Sequence, residues 1–197
     1  MRLVLASASP RRAELLRAAG FTFEVCLTDV DERVRPGERP REYVRRLAME
    51  KSAAGLGTNA GAGDVLVIGA DTAVIVDDMI LGKPAADTDS VRMLRGLSGR
   101  AHTVMTGVSV RTAAAQFDAI EETRVLFNPL SDEDVEWYVA SGEGRDKAGA
   151  YAIQGLGSRF IPGIEGSYSN VVGLPVAKLA QLIREMHEHL GILASGR

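Results

Sequence analysis

The start of the chain restricts its fold most. An apolar run, Leu3-Val4-Leu5-Ala6, passes without a spacer into Ser7-Ala8-Ser9-Pro10 and then into a helical pattern of Ala13, Leu15, Leu16 and Ala19 closed by Gly20. Four apolar residues set against a turn signal read as a short buried strand. Ser9 reads as the N-cap and Pro10 as the first helical residue. A proline loses nothing there, because the first N–H groups of a helix have no intrahelical partner. The opening unit is strand, tight turn, helix.

The same patterns predict a second strand over Phe21–Leu27, an acidic loop Thr28-Asp29-Val30-Asp31-Glu32, a helix from about Arg41 to Ala54 and a Gly- and Ala-rich loop over 55–63. Val65 to Asp71 reads as a buried strand ending in a carboxylate, and Val74-Ile75-Val76 with Met79-Ile80-Leu81 as a hairpin around Asp77-Asp78. A helix over 87–97 precedes two longer strands near 102–111 and 117–128, read as an antiparallel pair. Ser131-Asp132-Glu133-Asp134 opens another helix with a Ser-x-x-acidic signature. Gly142 to Gly157 is a Gly-rich loop region, followed by a strand near 159–164, a polar turn and a helix from about Pro175 to Leu190. Helices interleave with strands while the middle strands are antiparallel. The expected fold is therefore α/β, a mixed sheet flanked by helices in one domain over 1–197.

Composition removes several classes of partner. With 197 residues, 46% of them hydrophobic and 25% charged, the chain can bury a core without disulfides or a structural metal, which excludes disorder and fibrous folds. Its 23 Lys+Arg are scattered among 26 Asp+Glu, so no basic footprint for nucleic acid exists. The single cysteine, Cys26, has no partner for a disulfide or a metal knuckle and reads as a small core residue of a protein in a reducing compartment; the cytoplasm is the expected location. The N-terminal apolar run is too short for a signal peptide, and no stretch reaches the roughly 18 apolar residues of a bilayer span, so neither export nor a membrane partner is expected.

Three groups of residues carry candidate chemistry. Ser7 to Arg12 puts hydroxyls, free backbone N–H groups and two guanidinium groups at one helix N-terminus, an arrangement that binds anions. Cations at that end of a helix cost about 0.3–1 kcal/mol each, so Arg11 and Arg12 break a local rule unless a bound polyphosphate reverses the sign. Two solvated arginines beside an ordinary cap are the alternative. Gly69-Ala70-Asp71-Thr72 delivers a carboxylate to a strand end, the edge where α/β sheets hold ligands, although an aspartate there also serves as a turn former.

Asp29, Asp31 and Glu32 form a second carboxylate cluster or else a solvated acidic turn. Carboxylates from two loops suit a hard cation such as Mg²⁺ or Mn²⁺. No zinc pattern competes, since His102 stands alone and His187 and His189 fall on different helix faces. Lys51, Lys83 and Lys147 sit in or beside turn-rich segments; singly they read as surface lysines, but with Arg11 and Arg12 they match the charge of a triphosphate. The chain has no Gly-x-x-x-x-Gly-Lys-Ser/Thr loop, no Gly-x-Gly-x-x-Gly after a strand and no Gly-x-Ser-x-Gly elbow.

Taken in order, Leu5-Ala6-Ser7-Ala8-Ser9-Pro10-Arg11-Arg12, Asp29-Val30-Asp31-Glu32, Gly69-Ala70-Asp71-Thr72, Leu81-Gly82-Lys83-Pro84, the stretch from Ser98 to Val108, the stretch from Asp146 to Gly155 and Ser169-Asn170-Val171-Val172-Gly173-Leu174-Pro175 resemble the Maf family of nucleotide pyrophosphatases over nearly the whole chain. The resemblance implies an inosine-triphosphatase-like fold with two lobes around a central cleft, a divalent cation (Mg²⁺ or Mn²⁺), and hydrolysis of a nucleoside triphosphate to monophosphate and pyrophosphate. It implies Asp71 as the catalytic carboxylate, and Glu32 is expected to join it in positioning the metal and the attacking water. Arg11, Arg12, Lys51 and Lys83 would hold the phosphate chain, with Ser7 and Ser9 among the substrate-binding residues and Arg11, Thr72 and Gln154 at the specificity positions.

Within the family the chain resembles the subgroup acting on dTTP and UTP, with Gln154 at the position that distinguishes it; the chemistry is consistent, since an amide offers both a donor and an acceptor to a pyrimidine O4 and N3–H. Ala152 departs from the family's glycine. The alternatives are a 7-methyl-GTP pyrophosphatase, whose subgroup carries an acidic residue in place of Gln154, and a nucleotide-binding regulator of cell division without turnover. A homodimer is a family expectation.

Overall fold

The apolar start forms β1 (Arg2–Ala6) and Pro10 begins α1 (Pro10–Ala18). The computed structural model describes residues 1–61 and 63–192. Then follow β2 (Glu24–Cys26), α2 (Pro40–Thr58), β3 (Val65–Val76), β4 (Met79–Leu81), α3 (Asp87–Leu97), β5 (Ala101–Arg111), β6 (Gln116–Leu126), α4 (Asp132–Ser141), β7 (Gly163–Glu165), α5 (Tyr168–Val172) and α6 (Val176–His189), with 3₁₀ turns at Ala148–Ala150 and Gly155–Phe160. The strands make one seven-stranded sheet in the order β2-β1-β3-β5-β6-β7, with β4 also on β3. β1 pairs in parallel with β2 and β3, and the remaining pairs are antiparallel. The sheet is mixed and flanked by helices, as expected.

β3 organises the layers because its side chains alternate between faces. Ala73 and Ile75 pack on Tyr43, Val44 and Leu47 of α2, which covers one face. On the other face, Leu66, Ile68 and Ala70 join α1 and α6 in one apolar cluster, and Val74 and Val76 join α3 and α4 in a second. Thr72, hydrogen-bonded to Thr106 at 2.9 Å, lies between the two clusters.

The sheet has a gap. β5 pairs with β3 continuously from Val67 to Ile75, but on its other edge β3 pairs with β1 only over Val65–Gly69 and with β4 only over Val74–Val76. Among the described residues, Ala70–Ala73 therefore have no strand neighbour on that edge. β1 ends at Ala6 and the chain turns away into α1, which leaves the gap open as a cleft.

Five sequence expectations change. The strands predicted over Val65–Asp71 and Val74–Val76 are one strand, so Asp71 lies in its middle, two residues past the end of the parallel pairing. The unbroken ladder to β5 needs no turn there, and the Asp71 charge is met by a lysine instead. Gly55 does not end α2; a Cβ there would lie 2.8 Å from both Ala6 Cβ and Val67 Cγ1, so this glycine serves close packing of helix on sheet. Residue 62 of the predicted loop lies outside the described residues.

The strand over Phe21–Leu27 shrinks to Glu24–Cys26, because only Val4–Ala6 of β1 are paired with it. Of the strand near 159–164 only Gly163 and Ile164 fall in β7; Arg159 and Phe160 end the 3₁₀ turn Gly155–Phe160, at whose start Glu143 accepts hydrogen bonds from the N–H groups of Leu156 and Gly157. The polar turn before the last helix contains α5, capped by the Ser167 hydroxyl accepting from the Asn170 N–H. Among the described residues no helix is long and apolar enough to cross a membrane.

Candidate active site

The gap in the sheet opens into a cleft of about 480 Å³, and every predicted site residue lines it: Ser7, Ser9, Arg11, Arg12, Glu32, Lys51, Asp71, Thr72, Lys83 and Gln154. Two glycines bring one wall into place. A Cβ on Gly69 would sit 2.2 Å from the Ala48 carbonyl oxygen and one on Gly107 2.3 Å from that of Val44, so only bare backbone lets α2 lie this close to β3 and β5. Lys51, less than one turn beyond Ala48, then meets Asp71 across the contact.

The Lys51 ammonium donates to Asp71 Oδ1 at 2.6 Å and pairs with Glu32 Oε1 at 2.6 Å. Lys51 and Asp71 side chains are only 9% and 10% exposed, whereas that of Glu32 is 50% exposed. Partial burial opposes ionisation of Glu32, but the hydrogen bond and charge of Lys51, with Lys83 and Arg12 behind them, prevail and hold its carboxyl below the ordinary value. Two carboxylates converging on one buried cation form a compact, hard-oxygen centre.

Arg12 does have a structural role, contrary to the expectation that it lacks one. Its Nε donates to the Gly173 carbonyl at 2.8 Å, Nη1 to Ser7 Oγ at 3.2 Å and Nη2 to Thr72 Oγ1 at 3.2 Å. It thereby ties the end of β1, the middle of β3 and the residue after α5 around the cleft. Burial lowers its pKa, while Asp71 and then Glu32 act in the opposite direction. Ser7 Oγ also accepts from the Ser9 N–H, and Ser9 occupies the N-cap position without a side-chain cap bond. Thr72 Oγ1 is engaged with Thr106 and the Gly173 carbonyl.

The other wall is the irregular segment after α4. Arg11 reaches across to Asp146 Oδ2 at 3.3 Å, and Asp146 Oδ1 accepts from Lys147 Nζ at 2.6 Å. Gln154 is exposed at the start of the second 3₁₀ turn, and the methyl of Ala152 lines the cleft beside it. Lys83 is exposed just after β4.

Of the acidic loop, Thr28 and Glu32 line the cleft, and Glu32 is its only carboxylate there. Asp31 pairs with Arg33, which holds it well below the usual carboxylate range, and Asp29 is exposed; these two are the solvated turn that the alternative reading describes.

Two tyrosines in the lining escaped the sequence reading. Tyr43 donates its hydroxyl to the Glu32 carbonyl at 3.0 Å, and Tyr151 bonds His102 Nε2 at 2.7 Å. Tyr43 reads as a core position of an amphipathic helix, so its sequence carries no signal of a second task. His102 is no ligand: it is buried, stacks edge-on against Phe127 and Tyr151, and burial pushes its pKa down to about 4.

Residues 2–186 match the family model described as Maf-like protein. The chain is 53% identical over 190 residues to a dTTP/UTP pyrophosphatase of Shewanella oneidensis, covering 94% of this chain and 98% of the relative. It is 52% identical over 188 residues to a protein of the same name from Anaeromyxobacter sp., covering 93% and 88%. A third, from Vibrio parahaemolyticus, is 50% identical over 183 residues, covering 93% and 96%. A solved nucleoside-triphosphatase / dITP/XTP pyrophosphatase of Mycobacterium abscessus aligns over the full length of both chains with 13% identity and a TM-score of 0.41, a likeness too slight to carry an argument. The family model and the relatives agree over nearly the whole length, and the chain belongs to the Maf family.

Proposed function

We propose that this chain hydrolyses nucleoside triphosphates, dTTP and UTP in preference, to nucleoside monophosphate and pyrophosphate. The observation that carries the reading is the meeting of Asp71 and Glu32 on the Lys51 ammonium, at 2.6 Å each, in a cleft that also holds Arg11, Arg12 and Lys83. The cations balance the triphosphate charge and orient it, so that the α-phosphorus faces the carboxylates. A water oxygen forms a bond to that phosphorus, the bond to the bridging oxygen breaks with its electrons leaving on pyrophosphate, and Asp71 accepts the proton of the water. Lys51 holds the two carboxylates together against their mutual repulsion.

The donor set suits Mg²⁺ or Mn²⁺. Such ions are held by one or two carboxylates while phosphates and waters complete the shell, and Asp71 with Glu32 supply two converging oxygens. Among the described residues no group of three or more His, Cys, Asp or Glu gathers, and the reading rests on these two carboxylates with phosphate and water oxygens beside them. When bound, the ion neutralises phosphate charge and makes water more acidic.

Gln154, exposed at the cleft, presents an amide donor and acceptor to the pyrimidine edge. We also infer a cytoplasmic location, supported by the unpaired Cys26.

The deciding experiment incubates the protein with dTTP, UTP, CTP and 7-methyl-GTP, with Mg²⁺ or with chelator, and resolves monophosphate, diphosphate, pyrophosphate and phosphate. The expected result is monophosphate plus pyrophosphate from dTTP and UTP, with metal only. Diphosphate plus phosphate would mean attack at another phosphorus, preferred use of 7-methyl-GTP would overturn the role of Gln154, and binding without turnover would make the protein a nucleotide sensor.

A further inference from the structure

The carboxylate of Glu32 must find Lys51 and Asp71 from an irregular segment that has no strand or helix between β2 and α2. Three successive carbonyls of that segment are held by side chains of α2. Arg46 Nη1 donates to the Asp31 carbonyl at 3.3 Å, the Tyr43 hydroxyl to that of Glu32 at 3.0 Å, and Arg46 Nη2 to that of Arg33 at 3.1 Å. The Arg46 guanidinium lies over the Tyr43 ring, 5.6 Å from its centroid, so the two donors brace one another.

Arg46 is in turn fixed by Glu38, farther along the same segment, at 2.5 and 2.8 Å, and by Glu50, one turn along α2, at 3.2 Å. The Arg46 and Glu38 side chains are 12% and 8% exposed. Desolvating an ion pair is expensive and seldom repays itself in stability alone. This one ties both ends of the segment to the helix that carries Lys51.

Resting on the active-centre reading of Glu32, we propose that Arg46 and Tyr43 are positioning residues that set the Glu32 backbone so that its carboxylate meets Lys51 and Asp71. Neither touches that carboxylate; both act on the peptide groups at and around it. Tyr43, Arg46 and Glu50 recur on α2 at steps of three and four residues and so share one helix face, and Lys51 follows Glu50 on the same rigid helix that holds the segment.

The test measures steady-state turnover of dTTP with Mg²⁺ and amide hydrogen exchange on the full chain. Arg46→Met is expected to lower kcat roughly 10–100-fold, with a smaller change in the KM for nucleotide, and to quicken exchange across the segment from Asp31 to Glu38 while β3 is unaffected. In a Glu32→Gln background the same substitution is expected to cause no further loss of kcat, because no carboxylate remains to be placed. Tyr43→Phe, which removes one hydroxyl and keeps the ring, gives the same non-additive pattern at smaller size and decides the matter if Arg46→Met does not fold. Additive losses in the Glu32→Gln background, or wild-type kcat in both Arg46→Met and Tyr43→Phe, overturn the assignment. Full activity of Glu32→Gln alone instead overturns the active-centre reading on which it rests, so the two failures are distinguishable.

Discussion

The two walls of the cleft are built by opposite means. On one, Lys51, Asp71 and Arg12 are buried, stand on α2, β3 and α1, and each has its polar atoms fixed by named partners. On the other, Asp146, Lys147 and Gln154 belong to an irregular stretch between α4 and β7, exposed or half-buried, and held by turns and by Glu143. The difference fits the two tasks proposed for the walls. Bond breaking needs groups held to within a fraction of an ångström, which regular elements provide, whereas discrimination among bases tolerates variation in a loop carried by a rigid frame.

That contrast breaks first at Asp71. Asp71→Asn preserves shape while removing the proposed base, so kcat is expected to fall roughly 10²–10⁴-fold with nucleotide affinity retained. Parallel turnover and equilibrium binding measurements check it, and full activity would remove Asp71 from the mechanism.

Lys51→Met leaves the carboxylate of Asp71 buried without its cation. A loss of about 3–5 kcal/mol in urea unfolding is expected, partly restored in the double variant with Asp71→Asn. No loss would mean that the ion pair is as well solvated as a surface one.

The irregular wall has its own anchor in Tyr151 and His102. Since the folded-state pKa of His102 is depressed from 6.5 to about 4, the unfolded chain takes up a proton below pH 6.5 that the folded chain refuses. Stability is therefore expected to decline as pH falls through that window and to level off near 4, a total on the order of 3 kcal/mol. Urea titrations from pH 7 to 4 on the native chain and on His102→Gln check it; identical slopes would assign the acid sensitivity to another group.

Gln154→Glu is the mildest change. It is expected to reduce dTTP and UTP use roughly tenfold while shifting unfolding by no more than about 0.5 kcal/mol. Unchanged kcat/KM for every nucleotide would end the base-reading role of Gln154.

Local chemistry carried far. A buried strand against Ser7-Ala8-Ser9-Pro10, the capping pattern at Ser131 and the alternating middle strands announce their elements through near neighbours alone, and they formed close to where the patterns put them. Part of the cleft was legible for a related reason: cations at a helix start conflict with their surroundings, and such a conflict is visible one residue at a time, whereas Thr72 and Gln154 came only from the family resemblance. Tyr43 and Arg46 show no conflict, since an aromatic on an apolar helix face and an arginine in an i, i+4 pair with Glu50 are locally ordinary.

The sequence by itself determined the order of elements, the mixed character of the sheet and the residue types gathered at the cleft. Only the tertiary structure decided that Asp71 sits in the middle of β3 opposite a gap left by β1 and β4, that Gly55 and Gly69 serve close approach of a helix rather than a turn, and that Arg12 is a buried tie between three segments. Each of these depends on the spacing of backbones brought together from distant parts of the chain. A residue's local pattern records which conformation it prefers, but not what will stand against it.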